Sequence, residues 1–150
     1  MIIVKKPHEL AAMRISAKKT ATILHRVASK VAPGVTTKEL DEYAAELARK
    51  EEGRCAFYGY HGFSGHICSS VNEEVVHGIP GRRVIRDGDV VSIDLVIGYQ
   101  GMVLDGAQTI GVADISPEAE VLMEVTEAAL KAGIHAAQPG NKVRDIGAAI

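Results

Sequence analysis

The sequence is poor in cysteine, lacks tryptophan and has no long apolar run. Its two cysteines, Cys55 and Cys68, are too few for the disulfide framework of a small secreted domain, so we expect reduced thiols in a cytoplasmic protein. The apolar run at the N-terminus ends before Lys5 and is too short for a signal peptide. No segment approaches the roughly 20 apolar residues of a membrane span, so no membrane partner is expected.

Several common functional patterns are also missing. The formal net charge is −2 and both signs are interspersed, which provides no basic footprint for specific nucleic-acid binding. The glycine-rich segment 59–65 has neither the GxGxxG spacing nor the GKS or GKT ending of phosphate-binding loops. No GxSxG motif occurs, and no base for a Cys68 nucleophile is indicated. Covalent catalysis is therefore disfavoured.

The chain has 150 residues, 47% of them hydrophobic, which is enough for a domain with a real core. The spacing of apolar residues predicts helices and strands, and therefore an α/β fold. The predicted helices run from residue 7 to the break at 32–34, from 36 to about 50, from 116 to the break at 139–140, and onward from 142. The predicted strands are 67–71, 74–77, 90–97 and 102–110, the first two forming a hairpin around Asn72-Glu73.

A weak internal repeat is present. A helix followed by Pro33-Gly34 and a second helix is echoed by a helix, Pro139-Gly140 and the start of another helix, at an offset of 106 residues. If the repeat is real, one α/β unit covers about residues 1–113 and a second begins near 114. The chain would then stop inside the second unit, so we expect it to be truncated. Coincidence is the alternative, because Pro-Gly often follows a helix.

Two aspartates lie on either side of a glycine-flanked turn. If Tyr99 and Gln100 form the turn centre, Asp94 and Asp105 face each other directly, with Cβ atoms roughly 4.5–5.5 Å apart. Two carboxylates that close, in otherwise apolar strands, need a cation or a shared proton to relieve repulsion and desolvation. A cation is the better explanation, and a strand-end cap or an arginine partner is the alternative. The pair predicts a metal site without selecting the metal.

The motifs around these aspartates resemble type I methionine aminopeptidases. They are Tyr60-His61-Gly62-Phe63, residues 67–73, Val76-His77-Gly78-Ile79-Pro80, and residues 87–94 followed by Asp105. The resemblance covers essentially the whole chain and implies the pita-bread α/β (α+β) fold, whose two halves are related by a pseudo-twofold axis. This chain would be its N-terminal half, a truncated catalytic domain with an antiparallel sheet flanked by helices.

The resemblance also implies a metal centre. Asp94 matches the family's bidentate aspartate ligand, and Asp105 matches the aspartate that bridges two divalent metal ions, which could be cobalt, manganese, iron or zinc. In the family these metals generate a hydroxide and polarise the peptide carbonyl. A histidine and two glutamates complete the family's ligand set, and their positions follow Ile150. The 150-residue chain alone is therefore expected to be inactive.

Substrate contacts are implied in the same way. His77 matches the histidine that contacts substrate near the scissile amide, and His61 matches a second histidine of the cleft, so both are implied as catalytic. The pocket for the methionine side chain is implied to include Tyr60, Phe63 and Cys68 beside His77. Residue spacing alone assigns none of these roles.

The implied function is removal of the initiator methionine from nascent polypeptides, close to the ribosome, by an aminopeptidase. One alternative is a truncated pita-bread paralogue that acts as a noncatalytic binding module. Another is a different branch of the fold, such as the proline-specific aminopeptidases or noncatalytic relatives. Because removing half of a two-unit fold uncovers its core, self-association is also expected.

Overall fold

The computed structural model describes residues 3–150, and backbone contacts divide the chain after Asp114 into two compact units. The helices are α1 (Pro7–Ala28), α2 (Thr37–Lys50), α3 (Pro117–Ala136) and α4 (Val143–Ala149), and the strands are β1 (Arg54–Cys55), β2 (Cys68–Val71), β3 (Val90–Tyr99) and β4 (Met102–Gly111). Within the described residues, no helix has both the length and the apolar character needed to cross a membrane.

The sheet of the first unit is built around β3. Strand β4 pairs with one side of β3 over its whole length, whereas β1 and β2 share the other side, and every pairing is antiparallel. Both α1 and α2 pack against this sheet. The predicted α/β fold, with an antiparallel sheet flanked by helices, is therefore confirmed.

Strand β3 decides which face of the sheet is covered. Its side chains alternate between the two faces, and one alternate set is completely buried. That set joins apolar residues of α1 and α2 in the core, whose central members are Val91, Ile93, Leu95, Ile97, Ile23, Val27, Leu40 and Leu47. Each fully buried aliphatic side chain contributes roughly 1.5–3 kcal/mol. The other alternate set, which includes Asp94, lies on the partly exposed face.

The two predicted helices of this unit form, with one difference at a helix end. Helix α2 starts with the predicted capping box, in which the Thr36 N–H donates to a Glu39 carboxylate oxygen at 2.7 Å and the Glu39 N–H donates to the Thr36 hydroxyl at 3.2 Å. Helix α1 ends at Ala28, before the predicted break at 32–34. There the Ser29 hydroxyl donates to the His25 carbonyl at 2.7 Å, which satisfies a carbonyl of the last turn.

The predicted hairpin of 67–71 and 74–77 is wrong, because only its first strand forms. After Val71 the chain turns through Asn72, whose φ is +57°, and the Glu74 carboxylate accepts a hydrogen bond from the Val71 N–H at 2.9 Å. Strand β2 pairs with β3 instead of with residues 74–77. The segment after the turn is left exposed, with Val75 at 89% and Val76 at 64% of full exposure.

The second unit repeats a local feature of the first. The turn between α1 and α2 contains Gly34 with φ +90°, and the turn between α3 and α4 contains Gly140 with φ +95°. The backbone N–H of the residue before each following helix donates to an acidic side chain three residues later, at 2.7 Å in both Thr36–Glu39 and Lys142–Asp145. The 106-residue offset holds at both places, which supports the repeat. The proposed division into a complete and a truncated half stays a prediction.

Candidate metal centre

The turn of the β3–β4 hairpin differs from the prediction. Its central residues are Gln100 and Gly101, with φ values of +46° and +79°, so Tyr99 pairs with Met102. Two-residue hairpins favour turns with positive φ at both central positions, because that twist matches the strands. Glycine adopts such a φ without steric cost, which favours Gly101 as a central residue of the turn. The turn therefore lies one residue later in the chain than predicted.

This turn changes the pairing of the aspartates but not their face. Asp94 lies opposite Ala107 and Asp105 lies opposite Val96, so the predicted direct pairing of the two aspartates is wrong. The error is two residues of register, and side chains two residues apart on a strand point to the same face. The aspartates are therefore diagonal neighbours, whose Cα atoms are typically roughly 7–8 Å apart. They still converge on the partly exposed face of the sheet.

The surroundings of Asp94 are unfavourable for an isolated carboxylate. Burial raises its pKa, the negative charge of Asp105 raises it further, and His77 lowers it. Asp94 Oδ1 is buried and has no hydrogen-bond partner among residues 3–150. Buried polar atoms are normally satisfied, so such an atom calls for a missing partner. Because carboxylate oxygens suit divalent cations, Asp94 and Asp105 fit one side of a metal site.

The described part of the chain does not complete that site. Among residues 3–150 there is no group of three or more histidine, cysteine, aspartate or glutamate side chains that could hold a metal ion. Catalytic metals in proteins usually have at least three protein ligands. A catalytic metal centre at this place would therefore need at least one ligand besides Asp94 and Asp105.

Cys68 borders the two aspartates. It lies opposite Asp94 in the β2–β3 pairing and is 1% exposed. Burial, together with the negative charges of Asp94 and Asp105, raises the pKa of the Cys68 thiol to about 11. The thiol is therefore neutral at physiological pH and is a poor nucleophile. Its assignment to the substrate pocket stays a prediction.

His77 is held beside the aspartates by an unusually close backbone contact. The Ser69 N–H donates to the Gly78 carbonyl at 2.9 Å, and the Gly78 N–H donates to the Ser70 hydroxyl at 3.1 Å. A Cβ atom on Gly78 would lie 2.4 Å from the Ser69 carbonyl oxygen, so only glycine fits. His77 itself has φ +57°, a conformation that non-glycine residues adopt rarely and often at functional sites.

The other predicted substrate residues lie on the glycine-rich loop. Tyr60 and His61 are exposed on a short 3-10 turn, and their rings meet edge to face with centroids 4.4 Å apart. A Cβ on Gly65 would lie 3.0 Å from the Phe63 ring and 2.7 Å from Pro80, so this loop meets the loop that carries His77. The assignments of Tyr60 and Phe63 to the pocket, and of His61 to catalysis, stay predictions.

The anchor of this loop was missed by the sequence analysis. Asp41 of α2 is 8% exposed, and its carboxylate accepts hydrogen bonds from the His66 N–H at 2.6 Å and the Ile67 N–H at 3.0 Å. Its second oxygen lies 2.8 Å from His66 Nδ1. The His66 ring also stacks on Tyr58, with centroids 4.5 Å apart. In the sequence, the only sign of this role is that Asp41 borders the apolar side of α2.

A second carboxylate holds the beginning of β3 and was also missed. Asp89, 9% exposed, accepts hydrogen bonds from the Arg86 N–H at 2.8 Å and from Asn72 Nδ2 at 2.9 Å. The side-chain oxygen Oδ1 of Asn72 in turn accepts from the Val90 N–H at 2.8 Å. Burial alone would raise the pKa of Asp89, but these hydrogen bonds and nearby arginine charges lower it overall. The end of β2 is thereby tied to the start of β3.

Asp89→Asn is expected to destabilise the chain at pH 7 and to affect it less in acid. A carboxylate whose folded-state pKa is lowered stabilises the fold above its unfolded pKa, near 3.8, and that contribution is lost as pH falls through the folded-state value. The difference in unfolding free energy between wild type and variant should therefore shrink below about pH 4. Urea unfolding at several pH values measures it, with the exposed Glu73→Gln as the control. A pH-independent difference would contradict the assignment.

Known proteins resemble this chain in both sequence and structure. Residues 11–150 match metallopeptidase family M24. The chain is 44% identical over 150 residues to methionine aminopeptidase 1 of Bacillus subtilis, covering all of this chain and 60% of that protein. It is similar to the crystal structures of methionine aminopeptidases from Thermotoga maritima (TM-score 0.96, 35% identity, 100% of this chain and 61% of that one) and Rickettsia prowazekii (TM-score 0.96, 32%, 99% and 60%).

These likenesses show the fold and the family together. The sheet and helices match the pita-bread fold, and the chain spans about 60% of the length of the relatives it matches. A metallopeptidase family implies divalent metal ions, which agrees with the two convergent carboxylates and the unpartnered oxygen of Asp94. The chain therefore belongs to metallopeptidase family M24.

Proposed function

We propose that this chain carries part of the active site of a methionine aminopeptidase, which removes the N-terminal methionine from nascent polypeptides in the cytoplasm. The family match and the names of the similar proteins support the reaction class. The observation that carries the proposal is the convergence of Asp94 and Asp105 on one face, with Asp94 Oδ1 buried and lacking a partner within residues 3–150.

In this proposal Asp94 and Asp105 hold two divalent ions, which would be cobalt, manganese, iron or zinc. Bound metal would supply an activated water and a Lewis acid for the peptide carbonyl. To His77 the proposal assigns a hydrogen bond to the substrate near its scissile amide, and its support is the closeness of His77 to Asp94 and the anchoring of Gly78 beside it.

The side chain of the substrate methionine is assigned to a separate set of residues. Cys68 supplies a neutral, buried wall, since its thiol pKa is about 11. Tyr60 and Phe63 supply apolar surface from the glycine-rich loop, and His61 supplies a second polar group there. An apolar wall with few polar groups suits a thioether side chain.

The proposal includes inactivity of the 150-residue chain by itself. The described residues offer two carboxylates as the whole ligand set, so metal binding should be weak. Hydrolysis of a test substrate, the tripeptide Met-Ala-Ser, should be absent. Activity requires further ligands, which the rest of a full-length relative could supply.

A chimera tests this directly. Residues 1–150 are joined to the segment of the Bacillus subtilis relative that follows the matched region, and Met-Ala-Ser hydrolysis is measured with added cobalt or manganese. The chimera should be active, whereas its Asp94→Asn and Asp105→Asn variants should lose more than about 100-fold in activity. Replacing a residue that only hydrogen-bonds to a metal ligand already lowers metal affinity or activity roughly 10–100-fold, so loss of a ligand itself should cost more.

The control for the chimera is Asp87→Asn, since Asp87 is an exposed aspartate before β3 whose carboxylate accepts from the Asp114 N–H at 3.0 Å. This variant should keep its activity. A folded, metal-loaded chimera that releases no methionine would overturn the proposed reaction. Hydrolysis by the 150-residue chain alone would overturn the incomplete ligand set.

One observation favours a second candidate, a noncatalytic self-associating module. Helix α3 exposes several large apolar side chains, each more than half exposed, namely Val121, Leu122, Val125, Leu130 and Ile134. A helix that is apolar on most sides is normally covered. An inert chimera, together with concentration-dependent dimers of the 150-residue chain in sedimentation velocity, would favour this module over the peptidase.

A further inference from the structure

The charges of the chain are segregated, although its net charge is small. Residues 5–30 contain seven lysines or arginines and one glutamate, a net charge of +6. Because the whole chain carries −2, the remaining residues carry −8. Averaging over the chain conceals this separation, so the expectation that no basic footprint exists does not hold for α1.

Five of these cations are exposed and are called here the basic face: Lys5 and Lys6, which directly precede α1, and Arg14, Lys18 and Arg26 within it. Within α1, the last three lie on one side of the helix, inside an arc of roughly 120° at 3.6 residues per turn. Among the residues that the structure describes, no member of the basic face is in an ion pair with a carboxylate; the ion pairs involve other residues.

The acidic groups near α1 are engaged elsewhere. Glu9 accepts a hydrogen bond from the Lys6 N–H at 2.7 Å as part of the helix start. Glu51 is paired with Lys19 at 3.0 Å, and Lys19 is half-buried and outside the basic face. Lys30 is also outside it, since it borders a groove lined by Glu39, Glu42 and Glu46. The basic face therefore keeps its positive potential.

A lipid surface fits this face poorly. An interfacial helix inserts its apolar side into the boundary between headgroups and acyl chains. The apolar side of α1 is unable to do so, because Ile23 and Val27 are already buried in the core. The exposed side offers only Leu10, at 39%, and Ile15, at 51%, as large apolar residues of the helix. Its charge is therefore suited to surface contact with a rigid polyanion.

We propose that the basic face of α1 binds the phosphate backbone of a nucleic acid without reading its sequence. Five unpaired cations over roughly 30 Å match a polyanion with one charge per about 1.7 Å of duplex axis. Helix α1 contains no phenylalanine, tyrosine or tryptophan on which bases could stack, which favours contacts to phosphates. This inference is independent of the proposed peptidase activity.

Binding to phosphates has a characteristic dependence on salt. Each neutralised phosphate releases a condensed counterion and contributes about −0.9 to the slope of log K against log salt for a duplex. Five contacts therefore predict a slope of about −4.5, and an affinity loss of roughly 500-fold between about 50 and 200 mM salt.

The experiment uses the 150-residue chain and short fluorescent RNA and DNA duplexes of unrelated sequence, with binding followed by anisotropy across a salt series. The variant R14A/K18A/R26A should weaken binding more than 10-fold, and the magnitude of its salt slope should fall by about 3. Alanine at exposed helical sites preserves the helix, which circular dichroism verifies. The matched control R82A/K131A/K142A makes the same change of net charge at other exposed sites and should bind like wild type.

Each other result would count against the inference. Absence of binding at low salt would overturn it, as would equal losses in the two triple variants, which would show a general charge effect. Strong dependence on duplex sequence would contradict a phosphate contact. Tighter binding to vesicles of phosphatidylglycerol and phosphatidylcholine than to either duplex would identify a lipid surface instead.

Discussion

Replacing Gly78 with alanine is expected to destabilise the chain by about 3 kcal/mol, near the upper end for overpacking. The added Cβ would meet the Ser69 carbonyl oxygen at 2.4 Å and the Ser69 carbonyl carbon at 2.8 Å. Both are backbone atoms of β2, so they are unable to rotate away as a flexible side chain would. Relief requires the loop to move off β2, which breaks the two hydrogen bonds that hold Gly78. Urea unfolding measures the loss.

Gly81→Ala is the matched control for this substitution. It lies in the same loop, and the nearest atom to its added Cβ would be the Ile79 carbonyl oxygen at 3.9 Å, an ordinary contact. Its effect should be below about 1 kcal/mol. Similar stabilities for the Gly78 and Gly81 variants would show that the loop does not approach β2 as closely as described. In the active chimera, Gly78→Ala should also lower activity, because it displaces His77.

Asp41→Ala is expected to cost about 3 kcal/mol and to loosen the glycine-rich loop. The substitution removes the acceptor for the His66 and Ile67 N–H groups, and a buried donor left without a partner costs about 1–3 kcal/mol. The neighbouring Glu42→Ala should change stability by less than about 0.5 kcal/mol, because Glu42 is exposed and its ion pair with Lys38, one turn earlier, lies at the surface.

Hydrogen exchange locates the effect of the Asp41 change. The amides of His66 and Ile67 should exchange much faster in Asp41→Ala, and those of the adjoining glycine-rich loop should follow. Asp41→Asn keeps an acceptor oxygen for the two backbone N–H groups, so it should recover most of the protection. Uniform acceleration across α2 and β3 would instead indicate general loss of the fold, and the anchor assignment would fail.

Much of the local structure was predictable because it depends on neighbouring residues. Helix α2 begins where Thr36 and Glu39 form a capping box, and α3 begins where Ser116 accepts from the Ala119 N–H ahead of a helical proline. The 106-residue repeat was visible because glycine marks the same left-handed turn in both helix pairs. In each case the interaction spans only a few residues of the chain.

Three features were not predictable, and each depends on distant partners. Residues 74–77 resemble a strand, but β2 pairs with β3 instead, and the Glu74 carboxylate, by accepting from the Val71 N–H, closes the turn that precedes them. The anchors made by Asp41 and Asp89 join residues 26 and 17 positions apart. The close approach of Gly78 to Ser69 depends on the path of the loop between β2 and β3, and the pattern of residue types does not predict that path.

The candidate metal centre combines both kinds of information. Side chains alternate along a strand, so a shift of two residues in the register leaves Asp94 and Asp105 on the same face of the sheet. The sequence alone therefore determined that the two aspartates share a face. The register that forms is set by the turn at Gln100-Gly101, where glycine occupies one of the two positions with positive φ. Only the tertiary structure decided which face of the sheet is covered. Packing of α1 and α2 on the opposite face then left the aspartates partly exposed, since a sheet buries the face against which its helices can pack apolar side chains.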